Sequence, residues 1–216
     1  MRDIFEAELT QLGDNLVQLS ERVNTAISAA GTALLTADVA LAQQTISEDD
    51  AIDALARDTD DRAVLLLAQQ APVATDLRVV VSTLRMSATL ERMGDLAQHI
   101  AQVARRSYPQ CAIPEPVLPV FKALHQSSVS LAERLTRLLE TRDLLEANAI
   151  ERDDDIIDDL HHDTFSALLN PNWAGTTQET IDITLVGRYY ERFGDHGVSI
   201  ARRVIYLVTG TDIAHV

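Results

Sequence analysis

The six prolines of this 216-residue chain, Pro72, Pro109, Pro114, Pro116, Pro119 and Pro171, fall in only three places. They leave long stretches in which no residue forces a helix to break. Those stretches carry helical period: Ile4, Leu9, Leu12, Leu16, Leu19, Val23, Ala26 and Ala30 recur mostly at three-and-four spacing over many turns. No window alternates apolar and polar residues between Asn-Gly or Asp-Gly turns, so strands are not expected. The pattern predicts six helices, over about 2–36, 38–70, 75–107, 116–141, 143–169 and 176–209, with Asp38 and Asp143 as N-caps. Segment 108–116 is the one candidate linker. The expected fold is all-α: two tandem antiparallel three-helix bundles, residues 1–107 and 116–209.

The halves are related by internal duplication. LERMGDLAQHIAQVARR, residues 90–106, aligns without a gap with YERFGDHGVSIARRVIY, residues 190–206. Glu91, Arg92, Gly94, Asp95, Ile100 and Ala101 match Glu191, Arg192, Gly194, Asp195, Ile200 and Ala201. Six identities in one short window, in the third helix of each half, favour duplication over chance. The second helices match more loosely, SEDDAID at 47–53 against RDDDIID at 152–158.

These repeats carry acids. Residues 48–61 hold seven Asp or Glu and residues 143–163 hold nine, which costs helix stability through like-charge neighbours. Most such runs are a solvated helix face, and Asp50, Asp61, Asp153 and Asp159 are read that way. Others fall on apolar stripes. In the second helix Ala42, Ile46, Asp49, Asp53, Ala56, Asp60, Val64 and Leu67 step by three or four, and in the fifth so do most of Ala147, Asp154, Asp158, His161, Phe165 and Leu168. Glu91 and Asp95 continue the stripe of the third helix, and Glu191 and Asp195 lie one turn apart on the sixth. In a hairpin turning near Pro72, the pairs Asp49/Asp53 and Glu91/Asp95 each lie about 21 residues from the turn, hence at one level. Four carboxylates per bundle are thus expected to converge.

Such a set needs a cation or bound protons. All-oxygen donors suit Fe(III), Mn, Mg or Ca, with zinc possible. His99 and His161, one turn beyond Asp95 and Asp158, are read as ordinary histidines first and as further ligands second, Arg92 and Arg192 as ion-pair partners at the cluster edge first and as phosphate ligands second, and Gly94 and Gly194 as permitting close helix approach. No Glu-x-x-His pair and no glycine-rich phosphate loop is present, which weakens the alternative of a carboxylate-bridged hydrolase or oxidase.

Composition narrows the partners. A formal charge of −15 argues against nucleic acid and against direct binding to anionic lipid. Cys111 is the only cysteine, so no intramolecular disulfide or Cys-rich metal site is possible. With no long apolar run, the chain is expected to be cytoplasmic.

The paired ERMGD and ERFGD motifs, TDLR at 75–78 after a proline, and the acid pairs on the preceding helices resemble the PhoU family of phosphate-transport accessory proteins. The resemblance covers nearly the whole chain. It implies a multinuclear iron or zinc cluster in each bundle, on Asp49, Asp53, Glu91 and Asp95 and on Asp154, Asp158, Glu191 and Asp195, with Mg or Mn as alternatives. It also implies a non-enzymatic homodimer that links the phosphate ABC transporter to a sensor histidine kinase and keeps the phosphate-starvation response off when phosphate is plentiful. Contact with the membrane is then through partners only. TDLR has no counterpart in the second half, where Thr176 and Gln178 occupy the positions of Asp76 and Arg78, so the halves need not have equal roles.

Overall fold

The structure, a computed structural model, describes residues 2–153 and 155–211. Its helices are α1 (Arg2–Thr36), α2 (Val39–Gln70), α3 (Ala74–Ser107), α4 (Leu118–Thr141), α5 (Leu144–Arg152), α6 (Asp155–Leu168) and α7 (Thr177–Thr209), with a 3-10 turn at Glu115–Val117. The expected six helical rods are present, the fifth divided into α5 and α6 within the acidic run. Asp153 leaves helical geometry there (φ −88°, ψ 8°) while Arg134 of α4 reaches Glu146 at 2.6 Å and Asp153 at 2.9 Å. Adjacent like charges weaken the helix at the point where that guanidinium takes up one of them.

The helix boundaries have local causes. Asp38 accepts a hydrogen bond from Leu41 N (2.9 Å) and Asp143 from Leu145 N (2.8 Å), so both expected N-caps are formed. Each follows a residue with positive φ, Ala37 (53°) and Arg142 (55°), which turns the chain sharply between helices. The same turn thus occurs at equivalent places in the two halves. Thr176 and Glu179 form a reciprocal capping box at the start of α7.

Helices α1, α2 and α3 pack together, and α4 and α7 pack with α5 and α6. The bundles join along α1 against α4 and α3 against α7. In the second pair, Arg78 Nε donates to Leu207 O (3.1 Å) at one end and Arg106 pairs with Asp182 at the other, so the helices run antiparallel. The middle of that alignment falls on Gly94 and Gly194, where the pseudo-twofold axis passes. One hydrophobic core runs through both bundles and includes Leu19, Ile27, Met93, Ile100, Phe121, Leu124, Tyr190 and Phe193. Each of these large side chains contributes about 1.5–3 kcal/mol on burial. Segment 108–116 is not a free tether. Ala112 and Ile113 are buried, and the exposed Cys111 directs its thiol to Leu34 O at 3.4 Å.

The buried stripes differ in phase from the expected ones. On α2 the core positions are Ala42, Thr45, Asp49, Ile52, Ala56, Thr59, Ala63 and Leu66, a strict heptad repeat. Val64 is 56 % exposed and Asp53 only half-buried. Threonine is tolerated inside because its hydroxyl bonds the carbonyl four residues back, Thr45 to Leu41 O (2.9 Å) and Thr59 to Leu55 O (2.7 Å). On α6 the buried residues are Ile157 and Thr164, which leaves Asp158 and Phe165 exposed. Ile4, placed on the first stripe, is 67 % exposed at the frayed edge of the core.

Candidate metal centres

The first set of acids lies between α2 and α3. Asp49 alone of the described candidate ligands is buried, at 7 % exposure; Asp53, Glu91 and Asp95 are half-buried. Asp49 can approach α3 because Gly94 has no side chain: a Cβ there would meet Ile52 at 3.1 Å and Asp49 Oδ1 at 3.3 Å. Asp49 Oδ2 accepts a hydrogen bond from Gln98 Nε2 (2.6 Å), and Gln98 Oε1 accepts one from Gln102 Nε2 (2.8 Å). Arg92 holds Asp95 at 2.7 Å, and Arg57 lies 3.7 Å from Asp53. Burial, and then the charges of Asp53, Asp95 and Glu91, push Asp49 up to about 6. Glu91 is also raised, by burial first and by Asp95 next.

The second set lies between α6 and α7. Asp158, Glu191 and Asp195 present carboxylate oxygens that all lie within 4.8 Å of one another, the only such group of three metal-ligating side chains among the described residues. Glu191 pairs with Arg188 through one oxygen, while its buried Oε2 has no hydrogen-bond partner. Arg192 lies 3.4 Å from Asp195. Burial and the Asp195 charge raise both Asp158 and Glu191. Asp154, expected as the fourth member, lies outside the described residues.

Three side chains with converging hard oxygens, one of which also carries a buried carboxylate oxygen without a hydrogen-bond partner, fit a cation. The structure therefore brings together three of the eight expected ligands and places the first four within electrostatic reach without converging their oxygens. The expectation of inward seams is corrected for Asp158, which is exposed, because the core heptad passes through Ile157 instead. His161 packs its ring on Phe165 (centroids 4.8 Å) and over Gly187, within electrostatic reach of Asp158, and His99 faces Tyr189 (5.2 Å); neither belongs to the converging trio. Arg92 and Arg192 pair with Asp95 and Asp195 as expected. Asp50, Asp61, Asp153 and Asp159 are exposed, also as expected. Gln98 and Arg188 were not foreseen; Arg188 lies one turn before Glu191 on α7 and Gln98 reaches Asp49 on another helix, and a single glutamine or arginine carries no pattern of its own.

The raised Asp49 has a measurable effect on the metal-free protein. A carboxyl that titrates higher when folded binds more protons folded than unfolded between about pH 6 and 4, so its ionisation destabilises the fold above pH 6. In chelator at pH 7.5, Asp49→Asn is expected to be more stable than the parent by roughly 1 kcal/mol after solvent screening, ~3 °C in Tm. The gap should narrow as the pH falls below 6 and close near pH 4. A parent protein more stable than the variant at pH 7.5 in thermal melts would contradict this.

The family model described as the PhoU domain matches the chain twice, over residues 16–104 and 121–204. The chain is 40 % identical to the phosphate-specific transport system accessory protein PhoU homolog 2 of Mycobacterium tuberculosis, over 97 % of this chain and 99 % of that protein. It is 30 % identical to the phosphate-specific transport system accessory protein PhoU homolog of Pseudomonas aeruginosa, over 98 % of this chain and 88 % of that one. Among solved structures, PhoU from Pseudomonas aeruginosa superposes with a TM-score of 0.85 at 27 % identity, covering 96 % of this chain and 100 % of that one. The phosphate transport system regulatory protein PhoU from Streptococcus pneumoniae superposes with a TM-score of 0.84 at 25 % identity, covering 97 % and 99 %.

Proposed function

Because the chain belongs to the PhoU family, we propose that it is an accessory regulator of phosphate transport, acting by protein contact rather than by turnover. The observation that carries this reading is near-full-length similarity, in both halves, to relatives named as accessory proteins of a phosphate-specific transport system. In the finer form of the proposal, a cytoplasmic homodimer contacts a phosphate ABC transporter and a sensor histidine kinase and restrains the starvation response when phosphate is plentiful. No helix among the described residues is long and apolar enough to cross a membrane, which fits contact with the membrane through these partners. Residues 1–107 and 116–209 serve as the two repeat units.

Metal is part of the proposal. Asp49, Asp53, Glu91 and Asp95 form one candidate donor set and Asp154, Asp158, Glu191 and Asp195 the other, for iron or zinc, with Mg or Mn as alternatives. A bound cation would neutralise acids that otherwise repel one another between α2 and α3 and between α6 and α7. The side chains found against the acids, Gln98, Arg92, Arg188 and Arg192, donate hydrogen bonds or positive charge to them. They hold carboxylates and are not placed to activate water, which supports binding over a hydrolase or oxidase.

Deletion of the gene tests the regulatory reading. In phosphate-rich medium, transcripts for phosphate uptake are expected to rise and to return on complementation. Unchanged transcripts, in a strain with no second copy of the family, would refute it.

A further inference from the structure

We propose that the two metal centres are unequal and that Gln98 makes them so, by holding Asp49 out of the first centre, so that the second fills first. This rests on the metal reading above and names a positioning residue within it.

The first centre has its carboxylates engaged by the protein itself. Gln102 Nε2 donates to Gln98 Oε1 (2.8 Å), which fixes the Gln98 amide with its nitrogen toward Asp49 Oδ2 (2.6 Å). A buried carboxylate thereby obtains from an amide the donor that a cation would otherwise have to replace. Arg92 closes on Asp95 at 2.7 Å in the same set.

The second centre lacks this arrangement. At the offset of 100 that relates the ERxGD motifs, Gln98 becomes Val198 and Gln102 becomes Arg202. Arg202 Nε donates instead to Glu151 Oε1 at 2.9 Å. Arg192 stands farther from Asp195, at 3.4 Å, and although Arg188 takes one oxygen of Glu191, the other is buried without a partner. Where the amide is missing, three carboxylates converge within 4.8 Å. Where it is present, no three do so among the described residues.

A cation entering the first centre must displace a charge-assisted hydrogen bond, worth about tenfold to a hundredfold in affinity. The alternative role for a glutamine beside a ligand is to orient it for the metal, and its loss would then weaken binding about tenfold or more. The two roles predict opposite signs.

The test uses the full chain and Mn2+, read by loss of the free-ion EPR signal, with Zn2+ as a second probe by elemental analysis. Glu191→Ala with Asp195→Ala isolates the first centre; Glu91→Ala with Asp95→Ala isolates the second. In the first background, Gln98→Val is expected to raise Mn2+ affinity about tenfold or more; in the second it should change nothing. Gln102→Leu, which frees the amide without touching Asp49, should act in the same direction and serves if Gln98→Val fails to fold by circular dichroism. Unchanged or weakened first-centre affinity overturns the proposal, as do equal affinities of the two centres in the parent protein. Absence of Mn2+ and Zn2+ binding in the parent overturns the inequality, and absence of iron uptake as well, by elemental analysis after iron loading, refutes the metal reading itself.

Discussion

Alanine at both Glu191 and Asp195 should abolish metal binding in the second half and leave the fold in place. These residues supply two of the three side chains whose carboxylate oxygens converge within 4.8 Å, and the third, Asp158, is exposed on α6 and offers too few donors to hold a cation without them. The fold is expected to survive because the neighbours that fill the core, Tyr190, Phe193 and Val198, are untouched. Elemental analysis after loading with iron or zinc should show the metal of one half missing, and Asp49→Ala with Glu91→Ala should remove the other. A parent protein that takes up no metal under any loading condition would sink the idea. The acids would then be held by Arg92, Arg188, Arg192 and bound protons, and the bundle architecture would be unaffected.

The other major effect concerns stability, at Gly31. This residue lies where α1 meets α4, under the ring of His125, and a Cβ built on it would stand 2.6 Å from His125 Cε1 and 2.7 Å from Cγ. His125 is itself half-buried, with an Nδ1 that has no hydrogen-bond partner and a pKa lowered by burial. Gly31→Leu must either expel the imidazole or separate the helices. It is expected to cost about 3 kcal/mol, roughly 10 °C in Tm. His125→Ala should recover part of that loss, because it vacates the space the leucine needs. Strict additivity of the two substitutions in a double-mutant cycle would show that the contact is not what limits the site.

What could be read from the sequence follows from how local each cause is. Helix extents and the caps at Asp38 and Asp143 depend on a few neighbouring residues and were legible. The duplication exposed Glu91, Asp95, Glu191 and Asp195, since a repeated motif needs no three-dimensional information. The phase of the core was less visible. A stripe of obvious hydrophobes leads through Ile46, Asp53 and Val64, whereas the packed stripe uses Thr45, Ile52, Thr59 and Ala63, whose threonines hide their hydroxyls against their own helix. The left-handed turns at Ala37 and Ala71 are equally silent, because neither is glycine or asparagine. Gln98 acquires meaning only when α3 lies against α2, whereas Arg188 pairs with Glu191 one turn away on its own helix and was missed because an arginine there is ordinary.

The α3–α7 contact is the isologous interface of a twofold dimer carried within one chain. Two identical chains would be obliged to place the same residues at both ends of it. Here one end closes on Arg106 and Asp182, a buried acid that also accepts from Gln178, while the other closes on Arg78 against the terminal carbonyl of Leu207 and the ring of Tyr206. Tandem fusion has thus released the ends from symmetry and given the molecule polarity. The two ends of the α3–α7 contact, related by the duplication, therefore present different chemistry.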